Sequence, residues 1–317
     1  MPKLPIVFVQ IPCLNEERTL PLVLKGVPKK IPGVGSVEIL IIDDGSSDRT
    51  IAVAKKLGVK HFVYHRRNQG LARSFHDGVS YALEHGADIV VNTDGDNQYP
   101  QEKIGELVAP ILAGRADVVI GDRQTQRIKH FSRGKKFFQR FGSRIVSAAA
   151  GVTVPDAVSG FRAYSREALL QINTITRFSY TTETIIQAGH KRLSIASVPI
   201  KTNKKTRESR LFKSTFEHIS KSATTIVRST IMYRPYALFG TLGGVLLIAG
   251  LVPFIYYLVL YFLGHQNGHL HSLTLGAVLL ISALLSLVLG VLADLIRINR
   301  ILLEDLLERV KANQIKN

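Results

Sequence analysis

The chain holds a single cysteine, Cys13, and no tryptophan. One thiol excludes a disulfide framework and any zinc cage built from several thiolates, so the chemistry must use oxygen or nitrogen groups. Cys13 itself reads as a small packing residue. Acids are also sparse: 24 Asp and Glu stand against 41 Lys and Arg in 317 residues, a formal net charge of +17. Such an excess implies anionic partners, whether nucleic acid, anionic lipid or phosphorylated substrates. With 46% hydrophobic and 21% charged residues, a solvated disordered chain is excluded. The length suits about two domains.

Charge is missing altogether from two stretches, 236–263 and 273–293, which contain no Asp, Glu, Lys or Arg. At 1.5 Å per helical residue, about 20 residues cross the roughly 30 Å hydrocarbon layer, so both are expected to span a membrane. Residues 1–10 lack the basic and long apolar regions of a leader, and the N-terminal part is expected to stay cytosolic. Basic residues crowd 201–234 and 297–316 but are absent from 264–272, which puts both termini on the cytoplasmic side. Phe212, Phe216, Ile219, Ala223, Ile226 and Val227 recur at helical spacing beside Lys213, Lys221 and Arg228, the pattern of a helix lying in an anionic headgroup layer. The expected organisation is a catalytic domain at 1–210, an amphipathic juxtamembrane segment at 211–235, a two-helix hairpin at 236–293 and an amphipathic tail at 294–317. That tail can extend the second span or pair with another copy in a homo-oligomer.

Within 1–210, β-rich runs at 6–11, 37–42, 61–65, 89–92 and 118–120 alternate with helical patterns at 20–27, 50–57, 71–85 and 101–113. This is the rhythm of an α/β domain with a mostly parallel sheet covered on both faces. Ligands of such sheets lie beyond the carboxyl ends of the strands. Here the second strand runs into Asp43-Asp44-Gly45-Ser46-Ser47-Asp48 and the fourth into Thr93-Asp94-Gly95-Asp96-Asn97-Gln98. Ser47 or Asp48 suits the cap of the helix near Thr50, but capping does not explain four carboxylates at one edge.

An oxygen-rich cluster in a basic protein suggests Mg2+ or Mn2+ shared between a few carboxylates and a substrate diphosphate. A calcium loop starting at Asp94 fails, because its required Gly and Glu are Tyr99 and Gly105. No phosphate-binding G-x-x-x-x-G-K-[ST] loop occurs, and no Gly-rich dinucleotide turn follows the first strand. Nucleic acid is not an expected partner, since a basic membrane-tethered nucleic-acid-binding protein would account for the net charge of +17 but not for acids at two strand ends.

Four blocks in order resemble family 2 glycosyltransferases with a GT-A (Rossmann-like) fold: Ile11-Pro12-Cys13-Leu14-Asn15-Glu16, Asp43 to Asp48, Asp94-Gly95-Asp96-Asn97-Gln98, and Asp156 with Ser159-Gly160-Phe161-Arg162. Within that family the chain is similar to the polyisoprenyl-phosphate glycosyltransferases, such as dolichyl-phosphate mannose synthases. The resemblance implies that Pro12, Asn15, Glu16, Asp43, Asp44 and Asp94 bind a nucleotide sugar, UDP-glucose or GDP-mannose. It implies a metal held by Asp94, Asp96 and Gln98, with Asp96 and Asp156 catalytic. The implied acceptor is undecaprenyl or dolichyl phosphate. The acid-free stretch 123–144 suits that phosphate, with Arg123, Arg133, Lys135 and Arg140 as partners and Arg162 beside them. Asp156 has three readings: orienting a substrate, accepting a residual proton, or pairing with Arg162. Processive polysaccharide synthases share this fold, but their Gln-x-x-Arg-Trp segment has no counterpart in a chain without tryptophan.

Overall fold

The computed structural model describes residues 3–125, 133–173, 180–203, 231, 235–264 and 270–316, with the backbone alone for 133–139 and 314–316. The run Ile-Val-Phe-Val-Gln-Ile-Pro-Cys is apolar on both faces, which only a strand covered on both sides satisfies. It forms β1 (Ile6–Cys13), with Val7, Phe8, Val9 and Ile11 buried. On one flank lie the parallel strands β2 (Ser36–Asp43) and β3 (His61–Tyr64). On the other lies parallel β4 (Ile89–Asn92). The sheet continues through β6 (Arg162–Ser165), antiparallel to both β4 and β5 (Val118–Asp122), and ends on β7 (Ile195–Pro199), parallel to β5. The order is β3-β2-β1-β4-β6-β5-β7. The expected α/β domain with a mostly parallel sheet is what forms, with β6 as its one reversed strand.

Helices α1 (Leu20–Gly26), α2 (Thr50–Lys56), α3 (Leu71–Glu84) and α4 (Ile104–Leu112) occupy the four expected places. Asp48 marks the start of α2, its Oδ1 accepting the Thr50 N–H at 2.9 Å. Three further helices follow among the described residues of the domain: α5 (Arg133–Ala150), α6 (Arg166–Gln171) and α7 (Tyr180–His190). Helix α5 crosses α7 so closely that a Cβ on Gly189 would lie 2.1 Å from the Ala150 carbonyl oxygen. The expected amphipathic segment 211–235 falls outside the described residues except at 231 and 235.

The chain divides into two compact units, Met1–Ile226 with Leu306–Asn317, and Val227–Asp305. The second contains α8 (Pro235–Phe262) and most of α9 (Leu270–Lys316), two helices long and apolar enough to cross a membrane. Their apolar residues face outward, with Val245, Ile248 and Val252 64%, 67% and 65% exposed, so neither is a core helix. Lipid gives two such helices no hydrophobic reason to associate, and small residues that admit close contact supply one. A Cβ on Gly276 would stand 3.1 Å from the Gly250 carbonyl oxygen, and Ser286 Oγ donates to the Phe239 carbonyl at 2.9 Å. The tail is a direct continuation of the second apolar helix, and its last part belongs to the first unit, where Lys311 Nζ donates to Asn173 Oδ1 at 2.5 Å.

Candidate active site

Strand direction decides where the motifs meet. β1, β2 and β4 are parallel, β5 has the same sense because β6 is antiparallel to both β4 and β5, and β7 follows β5. The carboxyl ends of all these strands, and the loop that enters β6, therefore open on one edge. All four sequence blocks lie there.

The first two blocks clasp each other. Asn15 takes a left-handed backbone (φ 56°), which asparagine tolerates better than most residues. Its Oδ1 accepts the Ser47 and Asp48 N–H groups at 2.7 and 3.3 Å, and its own N–H donates to Ser46 Oγ at 2.9 Å. Buried Glu16 accepts the Thr19 hydroxyl at 2.6 Å, while its N–H donates to Thr50 Oγ1 at 2.8 Å. Pro12 and Cys13 close β1 beside them, Cys13 opposite Asp43. Cys13 is buried, and burial, reinforced by the Glu16 and Asp43 charges, pushes its thiol well up, as suits a packing side chain.

The paired aspartates divide their work. Asp43 accepts the Ser46 N–H at 3.2 Å and shapes its own turn. Asp44 accepts the N–H groups of Gln69 and Gly70 at 2.8 and 2.9 Å and faces His65 Nδ1 at 2.7 Å. It therefore fastens the β3–α3 loop against the β2 end. Gly45 lets that loop approach: it has φ +83°, and a Cβ there would meet the Arg67 backbone at 2.9 Å.

The acid loop after β4 rests on buried polar groups. Asn92 Nδ2 donates to the Gly160 carbonyl at 3.0 Å and to Tyr180 Oη at 2.6 Å, and its Oδ1 accepts from Gln10 at 3.0 Å. The Gly160 N–H donates to Tyr99 Oη at 2.9 Å. A Cβ on Gly160 would stand 3.5 Å from Asp94 Oδ1, so the third and fourth blocks are in contact. Burial, then the Asp94 charge, push the Tyr99 hydroxyl up to about 12 and raise Tyr180 as well. Both phenols stay protonated and serve as hydrogen-bonding supports. Gln98 brackets Asp96, its N–H on Oδ1 at 3.1 Å and its Nε2 on Oδ2 at 2.8 Å.

The donors expected of Asp94, Asp96 and Gln98 are oxygens, a chemistry that fits Mg2+ or Mn2+. Among the described residues no group of three His, Cys, Asp or Glu side chains could hold a metal by itself.

At the end of β5, Arg123 grips Asp156. Its Nε and Nη2 donate to the two carboxylate oxygens at 2.7 and 2.8 Å, and its backbone N–H donates to Oδ2 at 3.2 Å. Burial pushes the Asp156 carboxyl up, but the Arg123 hydrogen bonds and charge outweigh it and hold the group below the usual carboxylate range. Asp122, next to Arg123, instead accepts the Gln124 N–H at 2.9 Å. Ser143 on α5 supports the Asp156 loop by accepting the Ala157 N–H at 3.2 Å, and Ser147 accepts the Val154 N–H at 3.0 Å. Arg140 and Arg144 on the same helix are exposed, and positions 133, 136, 140 and 144 share its face by helical period. The side chains of Arg133 and Lys135 lie outside the described set.

Two expectations are corrected. Arg162 does not face an acceptor: it is fully buried, and its guanidinium donates to the Ser159, Thr181 and Ala157 carbonyls and to Thr184 Oγ1 at 2.7 to 2.9 Å. It organises the chain around β6. For the same reason the hydrogen-bonded partner of Asp156 is Arg123. Sequence reasoning also passed over Asn92, Tyr99, Tyr180, His65 and Asn203. Only Asn92 carried a signal, an amide at the end of a β-rich run.

Residues 8–172, more than half of the chain, match the family model Glycosyl transferase family 2. A UDP-N-acetylglucosamine–dolichyl-phosphate N-acetylglucosaminyltransferase of Methanococcus voltae is 29% identical over 218 residues, 62% of this chain and 85% of that protein. A dolichyl-phosphate hexose transferase of Haloferax volcanii is 32% identical over 197 residues, covering 62% and 82%. Among solved structures, glucosyl-3-phosphoglycerate synthase from Mycobacterium tuberculosis in complex with Mn2+, UDP and glucosyl-3-phosphoglycerate superposes with a TM-score of 0.53 at 22% identity, over 72% of this chain and 79% of that one. The chain belongs to glycosyl transferase family 2 and has the GT-A fold.

Proposed function

We propose that this family 2 enzyme transfers a hexose from a nucleoside diphosphate sugar to a polyisoprenyl phosphate at the cytoplasmic membrane face, with inversion at the anomeric carbon. The observation that carries the reading is the shared edge: the acid loop at the end of β4 and Arg123 at the end of β5 flank the Gly160 turn. Relatives named for dolichyl-phosphate acceptors support the acceptor class. Since one of them uses an N-acetylglucosamine donor, UDP-N-acetylglucosamine joins UDP-glucose and GDP-mannose as a candidate.

In this reading Pro12, Asn15, Glu16, Asp43 and Asp44 frame the base and ribose. Asp94, Asp96 and Gln98 would hold Mg2+ or Mn2+, which neutralises charge on the departing nucleoside diphosphate. An oxygen of the lipid phosphate forms the new bond to the anomeric carbon, and the electron pair of the old bond leaves on the diphosphate. A phosphate monoester with a second pKa near about 6 is mostly dianionic at neutral pH, so no strong base is needed. Ionised Asp156 fits this: it orients Arg123 through Nε and Nη2, leaving the rest of the guanidinium fork for phosphate. Arg133, Lys135 and Arg140 on α5 are further candidate partners of that phosphate, with 133 and 140 sharing one face by helical period and 135 on another. With two spans both chain ends share one side, and the docking of Lys311 on Asn173 supports a cytoplasmic tail.

The test incubates the purified protein with labelled UDP-glucose, GDP-mannose and UDP-N-acetylglucosamine, a polyprenyl phosphate, and Mg2+ or Mn2+. Label should enter the lipid with one donor, and Asp96→Asn should abolish transfer. Failure with a full donor panel would count heavily against the assignment, and an active Asp96→Asn variant would remove Asp96 from the ligand set.

A further inference from the structure

The acid loop is held from behind by a residue that belongs to none of the four blocks. Asn203 lies just beyond β7 and donates to three successive carbonyls of the loop. Its side-chain Nδ2 reaches the Asn97 and Tyr99 oxygens at 3.0 and 3.2 Å, and its backbone N–H reaches the Gln98 oxygen at 2.9 Å.

One peptide unit carries this hold through the loop. The carbonyl of Asn97 and the N–H of Gln98 belong to the same planar trans peptide, so they point in opposite directions. The carbonyl is taken by Asn203, and the N–H donates to Asp96 Oδ1 at 3.1 Å. Fixing one side of the plane fixes the other. Asn97 also has a left-handed backbone (φ 60°), which a residue with a side chain adopts reluctantly. Such a turn keeps its shape when its carbonyls are tied.

The place of Asn203 is itself set by the sheet. β7 pairs with β5 up to Asp122 opposite Pro199, and the Ile200 N–H still donates to the Asp122 carbonyl at 2.8 Å. The strand that ends beside Arg123 thus delivers Asn203 to the loop that ends β4.

We infer that Asn203 is a positioning residue for the divalent-cation site, holding the 97–98 peptide so that Asp96 and Gln98 present their oxygens together. The inference rests on the metal reading of the acid loop given above. Removing a residue that orients a metal ligand from behind weakens metal affinity by about 10- to 100-fold. Because Asn203 is exposed, the lower end, about 10-fold, is expected.

The experiment uses the full-length protein in detergent. Free Mn2+ is followed by electron paramagnetic resonance in the presence of UDP or GDP, and amide exchange over 94–99 is followed without metal. Asn203→Ala should weaken Mn2+ binding about 10-fold and speed exchange in the loop. Asn203→Asp, which keeps the size but turns an acceptor toward the carbonyls, should do the same if the alanine variant folds poorly. Thr202→Ala should leave both readouts unchanged. Wild-type Mn2+ affinity in both Asn203 variants, or a lower melting temperature alone, would overturn the role. A wild-type protein that binds no Mn2+ with either nucleotide would overturn the metal reading and this role with it.

Discussion

Replacing Asp156 by Asn keeps the shape of the side chain and removes its charge. The native carboxylate, 3% exposed, accepts from Arg123 Nε, Nη2 and N at 2.7, 2.8 and 3.2 Å. An amide offers one acceptor oxygen and turns an NH2 toward a guanidinium that can only donate. Breaking one side of a buried ion pair costs about 3 to 5 kcal/mol. The Arg123 side chain is 17% exposed, so water partly replaces the lost partner and the lower figure, about 3 kcal/mol, applies. At about 2 to 4 °C per kcal/mol for a domain of this size, the melting temperature should fall by about 6 to 12 °C. Circular dichroism in detergent reads this without a tryptophan. Adding Arg123→Ala should cost less than the sum of the two single changes, by about 1 to 3 kcal/mol. Catalysis should fall too, yet its acid limb near the acceptor's second pKa of about 6 should persist, because it belongs to the lipid phosphate. A variant with native melting temperature and no acid limb would make Asp156 a titrating base and refute the reasoning.

Acid should unfold the catalytic unit through the same carboxylates. For Asp77, burial raises the carboxyl, but bonds from His76 and Arg73 lower it further; Asp156 is lowered as described. A depressed folded pKa gives stability that is present above the ordinary value of 3.8 and lost as pH falls through the folded one. Melting temperatures should be flat from about pH 5 to 7 and drop below about pH 4, and a flat profile to lower pH would contradict this. Gly189→Ala forces a Cβ to within 2.1 Å of the Ala150 oxygen. It should cost about 3 kcal/mol and raise KM for the polyprenyl phosphate through a displaced α5; a native KM would detach α5 from the acceptor. Cys13→Ala should leave turnover near wild type, and a maleimide should not label the folded protein. Rapid labelling would show an accessible thiol instead.

The part of the fold that repeats was legible, and the part that reverses was not. β1 to β5 announce themselves as β-rich runs between helical patterns. β6 reads Arg-Ala-Tyr-Ser, and nothing local shows that its arginine will be fully buried, held by the Ala157 and Ser159 carbonyls of the turn before it and by Thr181 and Thr184 of α7. α7 hides in the same way, since Thr181, Glu183, Thr184 and Gln187 are buried although their chemistry suggests a surface. At the site, the aspartate loops were readable because turn residues and acids stood at predictable strand ends. Which acid meets which base was not, because Arg123 finds Asp156 only once β6 has reversed the chain. Asn203 needed the β5–β7 pairing to be known before its reach could be.

The unit that carries the two long apolar helices is inserted into the chain of the first unit, which runs to Ile226 and resumes at Leu306. The first unit is thus assembled from two stretches far apart in the chain. A protein cut short before Leu306 would keep every candidate site residue yet lose the Lys311–Asn173 hydrogen bond that ties its ends together, so the cost should appear in the melting of that unit before it appears in its chemistry.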